Sequence, residues 1–506
     1  MNLITKNIQW KLLFFFLGAI AFSLFCWHYA KQITLWGDEA FSLLYYDRNF
    51  LSSVEGDVHL PTYYWILKQI LTLFNEPSEL VLRMVHVIPF IIGLLFGIFV
   101  IQRIFKNFSL IYLVLTITIT LPNFIFYATN LRMYSLLFMM EMIFIDAISR
   151  ILSNKKATSN YQLLWLLSSG FALLFVDYSS IIYYVSGVLF LLIRSLVIKE
   201  RKSLVTALIS ISPLIFLAII SIKSIKAIIS WDIQASSGIQ GMSFLELAKW
   251  LYLACRPVFD LIYPASLPTV IAIFLPLLIL GLLLYSGIIL FYKAPQRWQQ
   301  NDWILLISML WVPLALTGYG FTRLLLPSQF FIVAVMIWAI FCSRKPIKLI
   351  GLIIIGILLF INLTEVAKPT LRLYNIIPYS EIATDLVEFS QQQGVNQIFL
   401  SNNSLNTLSI HRYITKIDRT KELQIRRVDS TFLDNVSELK QQSFLFVSHL
   451  DENDQFVDIR KFLPSNLQNL KNYVLLENLP YNSLWKQRII DRSSQPSAVQ
   501  IYIANP

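Results

Sequence analysis

Asp38 and Glu39 stand side by side in the stretch TLWGDEAFSLLYYDRNF, between Trp36 and a run of aromatic and apolar residues. A carboxylate in such a setting can take the proton of an attacking hydroxyl. Four more stretches carry groups of chemical use. Asp57 and His59 lie in DVHLPTYYWILK, Arg132 and Tyr134 in ATNLRMYSLL, Asp177 and Tyr178 in FVDYSS, and Arg323 in FTRLLLP. Arginine offers a planar fork of donors suited to phosphate. Acids, cations and aromatics in this mix suit group transfer from an anionic substrate. Each of them also has a structural use. Asp38 is a good helix N-cap, and Glu39 offsets a helix dipole. Arg132 and Arg323 fit interfacial cations, His59 an interfacial hydrogen-bonding group, and Tyr134 and Tyr178 a belt of aromatics.

The elements that must position these groups follow from composition. Of 506 residues, 56% are hydrophobic and 14% charged, with a mean hydropathy of +0.62. Soluble domains are about 45–50% apolar and about 25% charged. Apolar runs near 20 residues recur, each long enough for a hydrocarbon core of about 30 Å. The expected class is a polytopic α-helical membrane protein, since helices satisfy their own backbone hydrogen bonds in lipid. About eleven spans are expected, at 12–30, 84–104, 108–127, 133–149, 161–176, 181–198, 203–222, 267–292, 303–320, 324–342 and 347–363. The first run lacks a small-x-small cleavage site and reads as a span.

With the N-terminus inside, sixteen basic residues fall on the cytoplasmic side, against ten outside, up to residue 364. Residues 365–506 hold 15 basic and 15 acidic residues, so the whole net charge of +11 lies in the membrane half. The excess reads as topology, and no nucleic-acid partner is expected. Three scattered cysteines make no disulfide framework.

The expected domains are a transmembrane part over 1–364, with outer loops 31–83 and 223–266, and a soluble C-terminal α/β domain over 365–506, placed outside. In the latter, EIATDLVEFSQQQG reads as a helix stopped by Gly394. NQIFLS, LQIRRV, SFLFVSH, NYVLLEN and VQIYIA read as strands, with helices near 404–414, 430–440 and 455–470. Helices between strands suggest a mostly parallel sheet. In the first outer loop, EAFSLLYY and PTYYWILKQILTLF are too short to span and read as interfacial helices, Asp38 capping one and Pro61 opening the other. Asp38, Glu39, Asp57, His59, Arg132, Tyr134, Asp177, Tyr178 and Arg323 then share the outer side and are expected to converge on one cavity.

WGDEAFS, DVHLPTYYWILK, LRMYSLL and TRLLLP, in this order and with these loop sizes, resemble the GT-C superfamily of membrane glycosyltransferases. These use polyprenyl-phosphate-linked sugars. The nearest patterns are the protein O-mannosyltransferases and the lipid A aminoarabinose transferases. The resemblance covers about the first 340 residues, and the C-terminal domain in position only. It implies a GT-C-like fold and inverting transfer of a sugar from a polyprenyl-phosphate donor to a hydroxyl on a lipid, glycan or protein acceptor. It maps the family's first-loop acid, a general base or acceptor-positioning carboxylate, onto Asp38, with Glu39 completing the pair. Asp57 and His59 fall where some relatives contact a metal or phosphate, and His59-Leu60-Pro61 stands where relatives usually read His-Pro-Pro. Two such residues fall short of the three or four ligands a metal needs, so a divalent metal stays open. No nucleotide cofactor is expected, and the bacterial cytoplasmic (inner) membrane is the expected location.

A transporter or flippase for a lipid-linked or anionic substrate is the alternative. Glu141 and Asp146 lie inside the fourth expected span, where acids can couple ions. Against it, the chain has no pair of matching interrupted halves, and its charged clusters gather at one face. A scaffold that only displays the C-terminal domain would not need ten further spans.

Overall fold

The computed structural model describes residues 2–31, 33, 35, 37–45, 62–75, 77–105, 108–153, 159–177, 180–198, 201–220, 278, 281, 326–367, 379–401, 407–418, 423–428, 443–449, 467–474 and 497–504. The chain divides into two compact units. One comprises Met1–Lys31 and Arg48–Pro369, the other Gln32–Asp47 and Thr370–Pro506. In chain order the helices are α1 (Asn2–Ala30), α2 (Gly37–Tyr45), α3 (Thr62–Leu73), α4 (Glu79–Phe105), α5 (Phe108–Thr118), α6 (Pro122–Thr129), α7 (Tyr134–Ser153), α8 (Asn160–Leu174), α9 (Ser180–Ile198), α10 (Arg201–Ile209), α11 (Ser212–Ile220), α12 (Leu326–Cys342), α13 (Lys345–Ala367), α14 (Tyr379–Gln393) and α15 (Thr407–Ile417).

The first unit is helical and is built around α4 packed on α7. Phe90 of α4 stacks on Phe138 of α7 with ring centroids 4.3 Å apart, and Phe124 of α6 meets both rings edge-on or tilted. Gly93 permits that approach: a Cβ there would lie 2.8 Å from the Phe138 ring and 3.0 Å from the Met139 backbone. Small residues at such crossings let helices associate in lipid. Around this pair, α1, α5, α6, α8, α9 and α12 pack in turn.

Among the described residues, three helices are long and apolar enough to cross a membrane: Leu13–Ala30, Glu79–Phe105 and Lys345–Thr364. Tyr183–Leu196, Leu204–Ala218 and Leu326–Trp338 are shorter apolar helices. The expected spans 267–292 and 303–320 lie outside the described residues, apart from helical positions at 278 and 281. The expected span 108–127 is two helices, α5 and α6, bent by 65°. The cause is local. Thr120 Oγ1 donates to the Ile117 carbonyl at 2.8 Å, and Pro122, which has no N–H to continue the ladder, opens α6. Likewise the expected span 203–222 is interrupted at Ser210–Ile211, between α10 and α11.

The second unit contains a five-stranded sheet of β1 (Gln397–Ser401), β2 (Gln424–Val428), β3 (Phe444–His449), β4 (Leu467–Val474) and β5 (Ser497–Ala504), in the order β2-β1-β3-β5-β4. The expected mostly parallel sheet is mixed. β1 pairs parallel with β2 and β3, while β5 runs antiparallel to β3 and β4. α14 buries Ile382, Ala383, Leu386, Val387 and Ser390, one stripe of an amphipathic helix. It stops at Gly394, where φ is +62° and a left-handed turn suits glycine. β4 begins where a helix over 455–470 was expected and ends before most of NYVLLEN. It lies at the sheet edge, and two register shifts against β5 interrupt its pairing. The helix expected near 430–440 lies outside the described residues.

Candidate functional site

Arg83 and His86 interrupt the apolar surface of α4 three residues apart, which puts both on one face. Both are buried. Arg83 Nη1 donates to the carbonyl of Thr129, the last residue of α6, at 3.1 Å. Helix C-termini carry unpaired carbonyls and partial negative charge, so a guanidinium there answers both. Thr129 Oγ1 donates back to Ile125 and Phe126, and Ser135 Oγ of α7 donates to the Tyr127 and Ala128 carbonyls at 3.1 Å. The end of α6 is thus fully engaged. The chain then passes through Asn130–Met133, non-helical and buried throughout, before α7 starts. Irregular backbone inside an apolar bundle persists where protein covers it or where it lines a cavity.

Arg132 lies in this junction and Tyr134 opens α7; both are buried, and Tyr134 meets Tyr127 edge-on at 5.3 Å. Of the expected site residues, these two are brought together. Asp177 is buried in the α8–α9 connection, its carbonyl accepting from Ser180 N–H at 3.1 Å and Ser180 Oγ at 2.6 Å. Glu141, two turns along α7 from Tyr134, is 1% exposed, and neither carboxylate oxygen has a hydrogen-bond partner among the described residues. Asp177 and Tyr183 lie within electrostatic reach of it. Tyr183 Oη shares a 3.1 Å hydrogen bond with Ser328 Oγ on α12. The next residue, Gln329, is fully buried with neither amide atom bonded among the described residues.

Glu39 is fully buried on α2, in the second compact unit. That helix begins at Gly37, two residues too early for Asp38 to be its N-cap, so Asp38 falls in the first turn. Asp57, His59, Tyr178 and Arg323 lie outside the described residues.

Three groups were missed by the sequence reading. Tyr63 of α3 and His86 share a hydrogen bond, Oη to Nε2, of 3.0 Å, while His86 Nδ1 contacts the Leu82 carbonyl at 2.8 Å. The carbonyl can only accept, so Nδ1 carries the proton and Nε2 accepts from Tyr63. Beside the pair is an apolar cavity of about 220 Å³ lined by Ile66, Ile70, Ile88, Pro89 and Leu136. With Arg83 this fastens α3, α4 and α6 to one another. The available signal was a pair of ionisable residues inside a 27-residue apolar helix. No group of three or more His, Cys, Asp or Glu side chains placed to hold a metal occurs among the described residues.

No protein-family model and no curated protein matches the chain. Among solved structures, ArnT from Cupriavidus metallidurans bound to undecaprenyl phosphate is similar along 98% of this chain and 99% of its own, at 10% identity and a TM-score of 0.53. ArnT from the same organism in the apo state covers 99% and 100%, at 14% identity and a TM-score of 0.44. The chain therefore shares its fold with that undecaprenyl-phosphate-bound ArnT structure, and its long apolar helices make it an integral membrane protein.

Proposed function

We propose that the protein is an inverting glycosyltransferase that moves a hexosyl or pentosyl group from a polyprenyl-phosphate carrier to a hydroxyl acceptor. The reaction takes place at the outer face of a bacterial cytoplasmic membrane. The observation that carries this reading is the likeness, along nearly the whole chain, to ArnT holding undecaprenyl phosphate. The quoted motifs support it independently. The N-terminus lies inside, about eleven helices span, and the C-terminal α/β domain lies outside.

In the proposed reaction, the acceptor oxygen attacks the anomeric carbon from the face opposite the phosphate. Its proton passes to the Asp38 carboxylate. The bond from the anomeric carbon to the phosphate oxygen breaks, and polyprenyl phosphate leaves as a stable anion that needs no strong acid. Arg132 supplies fixed positive charge for that phosphate, and Arg323 and His59 are further contacts. Tyr134 and Tyr178 are further substrate-binding residues in this reading. The apolar cavity against α3 and α4 suits isoprene units of the carrier.

Purified protein in lipid, offered a panel of polyprenyl-phosphate sugars and acceptors, should transfer one of them. Asp38→Asn should bind the donor normally and lose at least about a hundredfold in turnover. Near-normal turnover in that variant would remove Asp38 from the chemistry.

The buried carboxylate of Glu141 favours a second reading, an ion-coupled flippase for the same lipid-linked class. It predicts flux of labelled carrier across proteoliposomes without sugar transfer, lost in Glu141→Gln.

A further inference from the structure

We infer that the C-terminal unit is part of the catalytic apparatus: it holds the helix bearing Asp38 and Glu39, and Tyr413 is the positioning residue that fixes where that helix begins. The inference rests on the reading of Asp38 as the base.

A nine-residue helix such as α2 is too short to persist alone, since isolated helices below about 12–15 residues are marginal in water. Its stability must come from packing. α2 packs on α15, a helix of the C-terminal unit, and Gln32–Asp47 belongs to that unit as a whole. Glu39, Ala40, Ser42 and Leu43 are all buried, and their spacing marks one face of α2. On α15 the buried residues Ile410, Tyr413 and Ile414 form the matching stripe. α15 in turn packs on α14 and β1, so it is fixed to the sheet.

One hydrogen bond pins the entrance of α2. The Leu35 N–H donates to Tyr413 Oη at 3.0 Å, in a buried position and across 378 residues of sequence. Leu35 precedes the first helical residue, Gly37. Asp38 is three residues further on, so its Cα lies within about 11 Å of the pinned amide. Movement of Tyr413 therefore shifts the acid pair. Displacements near 1 Å are enough to cost turnover heavily.

The test is Tyr413→Phe in the full-length protein in lipid, which keeps the ring and removes the acceptor. Hydrogen exchange at the Leu35 amide should quicken about fivefold, the worth of one hydrogen bond. Turnover should fall about tenfold with donor and acceptor KM unchanged. In an Asp38→Asn background the same change should cost little, because the group being positioned has lost its function. Unchanged exchange in Tyr413→Phe overturns the pinning. Faster exchange with normal turnover overturns the positioning role, as do losses that simply multiply in the double variant. Normal turnover in Asp38→Asn alone instead overturns the base assignment, and the exchange result still decides whether the C-terminal unit holds α2.

Discussion

The two ends of α7 treat their polar residues differently. Near Arg150, the buried acid is held by two cations, although its Oδ1 meets Arg103 as an ion pair and not as a hydrogen bond. Asp146 receives Arg150 Nε at 2.6 Å and pairs with Arg103 of α4, which also reaches Ser149 Oγ. Ser149 donates to the Asp146 carbonyl, and Gln162 of α8 donates to that of Arg150. This end is a clamp of α4, α7 and α8. Towards Arg132 the end of α6 is satisfied, but two other side chains are not. Both amide atoms of Asn130 and both oxygens of Glu141 are buried without a hydrogen-bond partner among the described residues. Such groups cost free energy that a fold does not spend on packing alone. The contrast separates two acids that look alike in sequence. Asp146 ties α7 to Arg103 of α4, whereas Glu141 is buried in mid-helix with no such tie among the described residues.

The sharpest test of the clamp is Asp146→Ala. It leaves two partly exposed cations without their shared acid and opens a small void, a loss of about 1–3 kcal/mol. Thermal unfolding in detergent should show the loss, while turnover per folded molecule stays near normal. Arg132→Ala should do the opposite, leaving unfolding near normal and weakening donor binding by tens of times or more, an effect of about 2–5 kcal/mol. An unfolding loss without a binding loss would make Arg132 a second clamp and break the comparison. Glu141→Leu should raise stability by about 1–3 kcal/mol, the cost of a buried unsatisfied group. A fall instead would mean that Glu141 stabilises the bundle as Asp146 does. The smallest effect is expected for Tyr63→Phe, about 0.5–1.5 kcal/mol from loss of the hydrogen bond to His86.

What the sequence made legible was local. The apolar run of α4, the glycine stop after α14 and strands β1, β2, β3 and β5 all carry their signal within a few residues. The bend between α5 and α6 had a signal too, Pro122, outweighed by the apolar run around it. β4 was misplaced because an edge strand with polar residues and register shifts has no clean alternation. Arg132 and Tyr134 were singled out by residue type, and both are buried at the α6–α7 junction. Arg83 and His86 were not found, because their role depends on a helix end 46 residues away in one case and on α3 in the other. The grouping of Gln32–Asp47 with the C-terminal unit was out of reach for the same reason. No window of sequence contains both α2 and α15.

That separation also sets a timetable for synthesis. A ribosome adding roughly 5–20 residues per second needs about 20–75 s to make the 378 residues between Leu35 and Tyr413. Helices such as α1 and α4 are already available to the bilayer during that interval, while α2 still lacks its partner. α2 is seated only once α15 has emerged and joined its sheet, so the proposed base would be mounted after α1 and α4 have been made. Nascent chains arrested at increasing lengths should show protection of α2 only well beyond residue 449, once α15 and strands β1 to β3 have been made.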